Sequence, residues 1–151
     1  MLPIDFKNRM KILLGEEYEK FEASYSENPV RSFRVNTNKI SEEKFERINP
    51  FGGEKIPYAE NSFYFSCDGI GNHPYHHAGM IYIQEPSAMA PVAAIEIQSD
   101  WNILDLCASP GGKSTQAAAK NKDGILVSNE IVPSRCKALT GNIERMGFRN
   151  V

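Results

Sequence analysis

The residues best suited to chemistry lie in one stretch, Asp105-Leu106-Cys107-Ala108-Ser109-Pro110-Gly111-Gly112-Lys113-Ser114-Thr115, between an apolar run and a helical pattern. Gly111 and Gly112 remove side chains where a ligand would have to touch backbone. The unpaired N–H groups at the start of the following helix favour an anionic or carboxylate-bearing group. Ser109 is expected to cap that helix, with Pro110 at its first position, where a missing N–H costs nothing. The stretch therefore predicts a cradle for a small molecule.

Three ligand classes can be weighed on spacing. A dinucleotide fingerprint needs Gly-x-Gly-x-x-Gly, which the Gly111-Gly112 pair does not supply, so NAD is disfavoured. A phosphate-binding P-loop needs Gly-x-x-x-x-Gly-Lys-Ser; Gly112-Lys113-Ser114 meets its end, but Cys107 stands where the first glycine belongs. That near miss leaves a P-loop-like nucleotide-binding protein as the rival. Downstream, Asn129-Glu130 ends a second apolar run, and an acidic side chain at such a strand tip can accept both hydroxyls of an adenosine ribose. A nucleoside carrying a carboxylate tail fits both features.

These residues need a strand-helix-strand frame to hold them. Ile103-Leu104-Asp105-Leu106 reads as a strand, Gly112 to Lys120 as a helix and Ile125-Leu126-Val127 as a second strand. Cys136, Leu139, Ile143 and Met146 share one face of a further helix that stops near Gly147. This order predicts a parallel, doubly wound unit. Two parallel strands alone leave much apolar surface uncovered, so the chain is expected to be truncated where a third strand should begin, at Val151. The alternative is a mixed sheet completed by strands from the first part.

In that first part, Phe6, Met10, Leu13 and Leu14, then Tyr18, Phe21 and Tyr25, predict two amphipathic helices. Phe33 and Val35 alternate with Arg34 and Asn36 as a half-buried strand. Ser41-Glu42-Glu43 opens a helix with Phe45 and Ile48 inward. Phe63-Tyr64-Phe65 and Met80-Ile81-Tyr82-Ile83 read as strands, and Ser87 to about Gln98 as a helix opened at Pro86-Ser87. Arg31, Phe33 and Arg34 could face RNA through stacking and cationic contacts, although an ordinary packed strand accounts for them slightly better.

Composition bounds the class. With 151 residues, 41% hydrophobic and 24% charged, the chain reads as ordinary globular protein. A net charge of −2 does not mark a strongly basic nucleic-acid binder, so any RNA contact must come from a local patch or from elsewhere. The longest apolar stretch, Ser87 to Ile97, is too short for a membrane span, and Met1 to Asp5 lacks the pattern of a secretion signal. A cytoplasmic protein without membrane association is the expectation. Cys67, Cys107 and Cys136 form neither a disulfide framework nor a metal-binding pair, and each is expected to pack as a reduced thiol. His73, His76, His77 and Cys67 lack the paired spacing of a zinc site.

The loop from Asp105 to Gln116 resembles the first cofactor motif of the NOL1/NOP2/Sun family of RNA 5-methylcytosine methyltransferases, with Ser109 where alanine is usual. The likeness extends to Leu2-Pro3 with Phe6, Arg9-Met10, Tyr18 and Phe21, then to Arg34-Val35-Asn36-Thr37, His73-Pro74-Tyr75-His76, Gln84-Glu85-Pro86-Ser87-Ala88-Met89 and Asn129-Glu130. These look like the bacterial ribosomal-RNA members. The resemblance implies an incomplete, Rossmann-like class I methyltransferase core of α/β class over 79–151, preceded by a small α+β N-terminal domain over 1–78. It implies that Cys107, Ala108, Ser109, Pro110, Gly111, Gly112 and Lys113 line S-adenosylmethionine, Lys113 serving its carboxylate, with Glu130 on the ribose and Arg135 near the adenosine. It also places His73 to His76 near the active-site entrance.

Methylation at C5 of cytosine requires a thiolate to add at C6 first. The family's functional cysteines lie after later strands, so the catalytic residues are expected beyond Val151 and the chain alone is expected to be inactive. Ribosomal RNA is the implied partner. The rival readings are the P-loop protein and a non-catalytic RNA-binding fragment.

Overall fold

The computed structural model describes residues 2–151. Helices α1 (Ile4–Leu14) and α2 (Tyr18–Ser24) are joined by a 3-10 turn at Gly15–Glu17. Phe6 meets Phe21 between them, while Leu13, expected inward, is exposed. Lys7 and Glu22 form an ion pair across the same hairpin.

Strands β1 (Arg31–Val35), β2 (Ser62–Phe65) and β3 (Ile81–Ile83) form an antiparallel sheet in the order β2-β1-β3. Phe33 is paired with Phe63 on one side and with Ile83 on the other. Its ring lies within 5.5–6.1 Å of the rings of Phe45, Phe51, Phe63 and Phe65, which together with Ile81 make an aromatic core. Helix α3 (Glu42–Ile48) covers that core with Phe45, its first turn capped by the Ser41 hydroxyl, while Ile48 is exposed. A short helix α4 (Pro74–His77) follows a 3-10 turn at Ile70–Asn72.

β1 departs from the half-buried strand expected of it, since both faces are covered from Ser32 to Val35. The cause is a polar inner layer that takes up the second face. Arg34 and Asn36 are as buried as Phe33, but they are satisfied by hydrogen bonds. The Asn36 Nδ2 group donates to the carbonyls of Gly79 and Met146, both at 2.8 Å, and Lys39 Nζ donates to the carbonyl of Arg145 at 2.7 Å. These side chains satisfy carbonyls left free at a helix end.

Helix α5 (Pro86–Ala93) opens with Pro86 as expected but ends earlier than Gln98. Beyond it, β4 (Ile103–Asp105) and β5 (Leu126–Ser128) form a separate parallel pair, so the strands of the first part do not complete a mixed sheet. Ile103 pairs with Leu126 and Asp105 with Ser128. Helix α6 (Gly112–Lys120) joins the two strands, and α7 (Pro133–Met146) follows β5 and ends at Gly147 with φ +78°. Val92, Ala117, Ala118, Leu126, Met146 and Phe148 form a second core, which Tyr82 of β3 enters from the first sheet. The opposite face carries Leu104 and Val127, 60% and 55% exposed. The Leu126 N–H donates to the carbonyl of Asn150 at 2.8 Å, laying the backbone after α7 along the outer edge of β5.

Candidate cofactor site

The ends of β4 and β5 are stitched together by backbone. The Asn129 N–H donates to Asp105 O at 2.8 Å, the Ala108 N–H to Asn129 O at 2.9 Å and the Asn129 side-chain amide to Leu106 O at 3.0 Å. The Asp105 carboxylate orders the turn between β4 and α6, accepting from the Cys107 N–H at 3.2 Å and from Ser114 Oγ at 2.7 Å. The Gly111 N–H donates to Ala108 O at 2.7 Å. Three loop N–H groups are thus engaged within the protein and Pro110 has none. A phosphate cradle needs such N–H groups free and its Ser hydroxyl available for magnesium. The geometry opposes a P-loop.

The start of α6 differs from the expectation. Gly111, at φ +107°, is the capping residue, and Pro110 precedes the helix in a cis Ser109–Pro110 peptide rather than occupying its first position. Ser109 does not cap α6. Its hydroxyl donates to Arg135 O at 3.0 Å, and Arg135 Nη2 donates to Ser109 O at 2.9 Å, which pins the loop to α7. The chain turns into α6 through positive φ, a conformation in which only glycine is comfortable. Protein also fills the space that the missing side chains leave. A Cβ on Gly111 would lie 3.3 Å from Leu139 Cδ1, and one on Gly112 would lie 3.2 Å from Gln84 Cδ. Both distances are tighter than an ordinary side-chain contact, so packing constrains the two positions. No side chain caps α6.

Asn142 Nδ2 donates to Pro110 O at 2.8 Å, and the Tyr82 hydroxyl reaches the same carbonyl at 3.4 Å. Of the expected site residues, Ala108 and Ser109 are buried, Cys107, Pro110 and Lys113 are exposed, and Gly111 and Gly112 form the hinge into α6. Cys107 thus departs from the packing role expected of it, because β4 ends at Asp105 and the chain has already turned outward. Cys136 is partly buried as expected, its thiol against the carbonyls of Glu130 and Val132.

Glu130 lies beyond the tip of β5 with its side chain only 3% exposed. One carboxylate oxygen accepts from the Val132 N–H at 2.9 Å, and the other is 3.3 Å from Arg135 Nη1. Each oxygen retains a lone pair for a further donor. Arg135 therefore bridges the two halves of the site, touching Glu130 on one side and the loop carbonyl of Ser109 on the other. Ile131, 88% exposed, and exposed Leu106 and Val132 add apolar surface at the strand tips.

Sequence reasoning missed the support behind α6. Arg34 donates to Gln84 Oε1, Gly112 O and Thr115 Oγ1, and lies over the Tyr82 ring. It is turned away from solvent, so it offers no RNA-facing charge; Arg31, by contrast, is exposed and paired with Asp68 at 3.0 Å. Arg145 also stands near the Tyr82 ring, 5.7 Å from its centroid, and donates to His76 O at 2.6 Å. Burial, then Arg145 and His77, hold the His76 imidazole below its usual range. The only sequence signal was polar side chains at like parity in β1, and their partners lie 50 and 81 positions away.

A cleft of about 770 Å³ lies at the far end of α6, lined by Tyr58, Gln116, Lys120 and Lys122 among others, and includes none of the expected cofactor residues. A smaller groove of about 300 Å³ takes in Asp105, Leu106, Lys113 and Ser114. Among the described residues, no helix is long and apolar enough to cross a membrane.

Comparison with known proteins agrees with this architecture. The chain is 40% identical to "Ribosomal RNA small subunit methyltransferase F" of Vibrio vulnificus (strain YJ016), the match covering 99% of this chain and 34% of that protein. It is 47% identical to the protein of the same name from Shewanella oneidensis, over 78% of this chain and 27% of that one. The chain thus spans about a third of the length of such relatives. A crystal structure of a methyltransferase homologue from Pyrococcus horikoshii superposes with a TM-score of 0.86 at 30% identity, over 99% of this chain and 51% of that one. NSun6 from Pyrococcus horikoshii, solved with SFG, shares the fold at a TM-score of 0.86 and 20% identity, over 99% and 64%. Residues 2–86 match the family model of the N-terminal domain of 16S rRNA methyltransferase RsmF, and residues 92–151 match that of 16S rRNA methyltransferase RsmB/F. With its incomplete Rossmann-like core behind a small α+β unit, the chain belongs to this RsmF family, within the NOL1/NOP2/Sun methyltransferases.

Proposed function

We propose that the chain carries the S-adenosylmethionine-binding part of an enzyme that methylates C5 of a cytosine in ribosomal RNA. The observation that carries this reading is the joined cradle at the tips of β4 and β5, where Arg135 links the loop at Ser109 to Glu130. The site fits such a cofactor in three respects. The start of α6 has no side-chain cap, leaving positive dipole for a carboxylate, with exposed Lys113 in the same turn. Glu130 offers remaining lone pairs to ribose hydroxyls. Ile131 and Leu106 offer apolar faces to an adenine ring.

When bound, the cofactor supplies an electrophilic methyl group. The chain's own residues bind and orient it: Cys107 to Lys113 along its length, Glu130 at the ribose, and Arg135 behind Glu130. The nucleophilic thiolate is assigned to none of Cys67, Cys107 and Cys136. Residues 1–78 are read as the N-terminal unit, which could contribute to RNA binding, and 79–151 as the cofactor-binding unit. The strand β3 serves both, pairing with β1 while sending Tyr82 into the second core.

Calorimetric titration of the chain with S-adenosylmethionine, and separately with ATP and magnesium, tests the reading. Binding of the former at micromolar affinity, weakened in Glu130→Ala, is expected. Magnesium-dependent ATP binding without it would overturn the proposal in favour of a nucleotide-binding protein.

A further inference from the structure

Arg34 is a buried cation with no carboxylate. Its residue is 4% exposed, and no Asp or Glu forms an ion pair with it among the described residues. All its partners are neutral. Nε donates to Gln84 Oε1 at 2.8 Å, Nη2 donates to Gly112 O and Thr115 Oγ1, both at 2.9 Å, and the guanidinium carbon stands 5.2 Å from the Tyr82 ring centroid. Burial pulls its pKa down to about 10, so it remains charged at neutral pH. A buried charge normally needs a counter-charge to offset its desolvation. Arg34 instead stands beside the first turn of α6, the positive end of that helix. Electrostatics alone gives no reason to keep an arginine here.

Geometry gives one. The guanidinium is a planar fork whose donors hold several acceptors at fixed spacing, which an ammonium cannot do. Two of those acceptors belong to the first turn of α6. Thr115 Oγ1 relays the contact, donating in turn to Gly111 O at 2.7 Å. Gln84 is held on its other side, where Nε2 donates to Ala88 O at 3.0 Å, and its side chain lies against α6, with Cδ 3.2 Å from where a Cβ on Gly112 would stand.

We propose, resting on the cofactor reading above, that Arg34 is a positioning residue for the cofactor loop: through Gly112, Thr115 and Gln84 it fixes Gly111 and the first turn of α6 in place. The antiparallel sheet thereby becomes part of the cofactor site.

Two variants of the 151-residue chain test this. Arg34→Lys keeps the charge and loses the fork; Arg34→Met removes the buried charge while keeping an apolar stem, so that folding is retained. Hydrogen exchange is compared between residues 109–116 and the strands β1 and β2, and S-adenosylmethionine affinity is measured by calorimetry. In both variants, exchange in 109–116 should rise and affinity fall by about tenfold or more, the loss expected for hydrogen bonds from a charged donor, with strand protection unchanged. Loop exchange and affinity within about twofold of the parent would overturn the proposal, as would an equal rise in β1 and β2, which marks general destabilisation. If the parent chain itself fails to bind S-adenosylmethionine, the cofactor reading fails, and the exchange comparison alone decides the role of Arg34.

Discussion

Replacing Asn36 with alanine should destabilise the chain far more than the loss of one small polar side chain suggests. Asn36 is 1% exposed, and its amide serves the carbonyls of Gly79 and Met146, both at 2.8 Å, while its Oδ1 accepts from the Asn38 N–H at 3.1 Å. Alanine leaves two buried carbonyls without this donor and frees the turn at Asn38. At about 1–3 kcal/mol for each buried group left unsatisfied, the expected cost is about 2–6 kcal/mol. That is a large fraction of the roughly 5–15 kcal/mol typical of a domain. With a urea dependence of about 2 kcal/mol/M, the unfolding midpoint should fall by roughly 1–3 M. Asn36→Asp is the sharper comparison, because it keeps the shape and the acceptor but turns an oxygen toward two carbonyl oxygens. It should be at least as damaging near neutral pH and partly relieved on acidification, when the protonated acid can donate to one of them. A midpoint shift below about 0.3 M for both variants would show that these contacts do not join β1 to the end of α7 as described.

Phe33→Ala empties the centre of the aromatic core, and a loss of about 3–5 kcal/mol is expected in equilibrium unfolding; a loss under about 1 kcal/mol would mean that the cluster does not organise the first sheet. Gly79→Ala should prevent stable folding, judged by soluble yield and circular dichroism, since φ is +66° and the new Cβ would stand 2.0 Å from Arg145 O. Because His76 is held below its ordinary range by burial and by Arg145, it adds stability above the unfolded value of about 6.5 that is lost as the pH falls through its folded value. Denaturation at pH 7.5 and 5.5 should therefore show a smaller difference in His76→Gln than in the parent. Lys113→Ala, at an exposed position, should change stability by no more than about 0.5 kcal/mol while lowering S-adenosylmethionine affinity severalfold in calorimetry.

Much of this frame was legible because it rests on local pattern. The helix from Gly112 to Lys120 was readable to the residue, since a glycine pair follows an apolar strand and alanines fill its inner face. The halt of α7 at Gly147 followed from its glycine, and the aromatic alternation around Phe33 and Phe63 announced two strands. Legibility failed where a residue's meaning depends on a distant partner. Ser109 has the composition of a cap, yet Arg135 competes for its hydroxyl and wins. Arg34 and Asn36 looked like the wet side of a strand because charge and amide usually mean solvent; acceptors on α6, α7 and Gln84 make that face an interior. Gly111 and Gly112 read in the sequence as room for a ligand, but spacing could not show that Leu139 and Gln84 stand close beside them, 3.3 and 3.2 Å from where a Cβ would lie.

The most direct measurement of the central claim is an amide-resolved nuclear magnetic resonance titration of this chain with S-adenosylmethionine. Shifts are expected at residues 106–113 and 129–132, with weaker changes reaching Gln84 and Thr115 through Arg34. Shifts centred instead on Tyr58, Gln116 and Lys120 in the 770 Å³ cleft, or no saturable shifts at all, would contradict it.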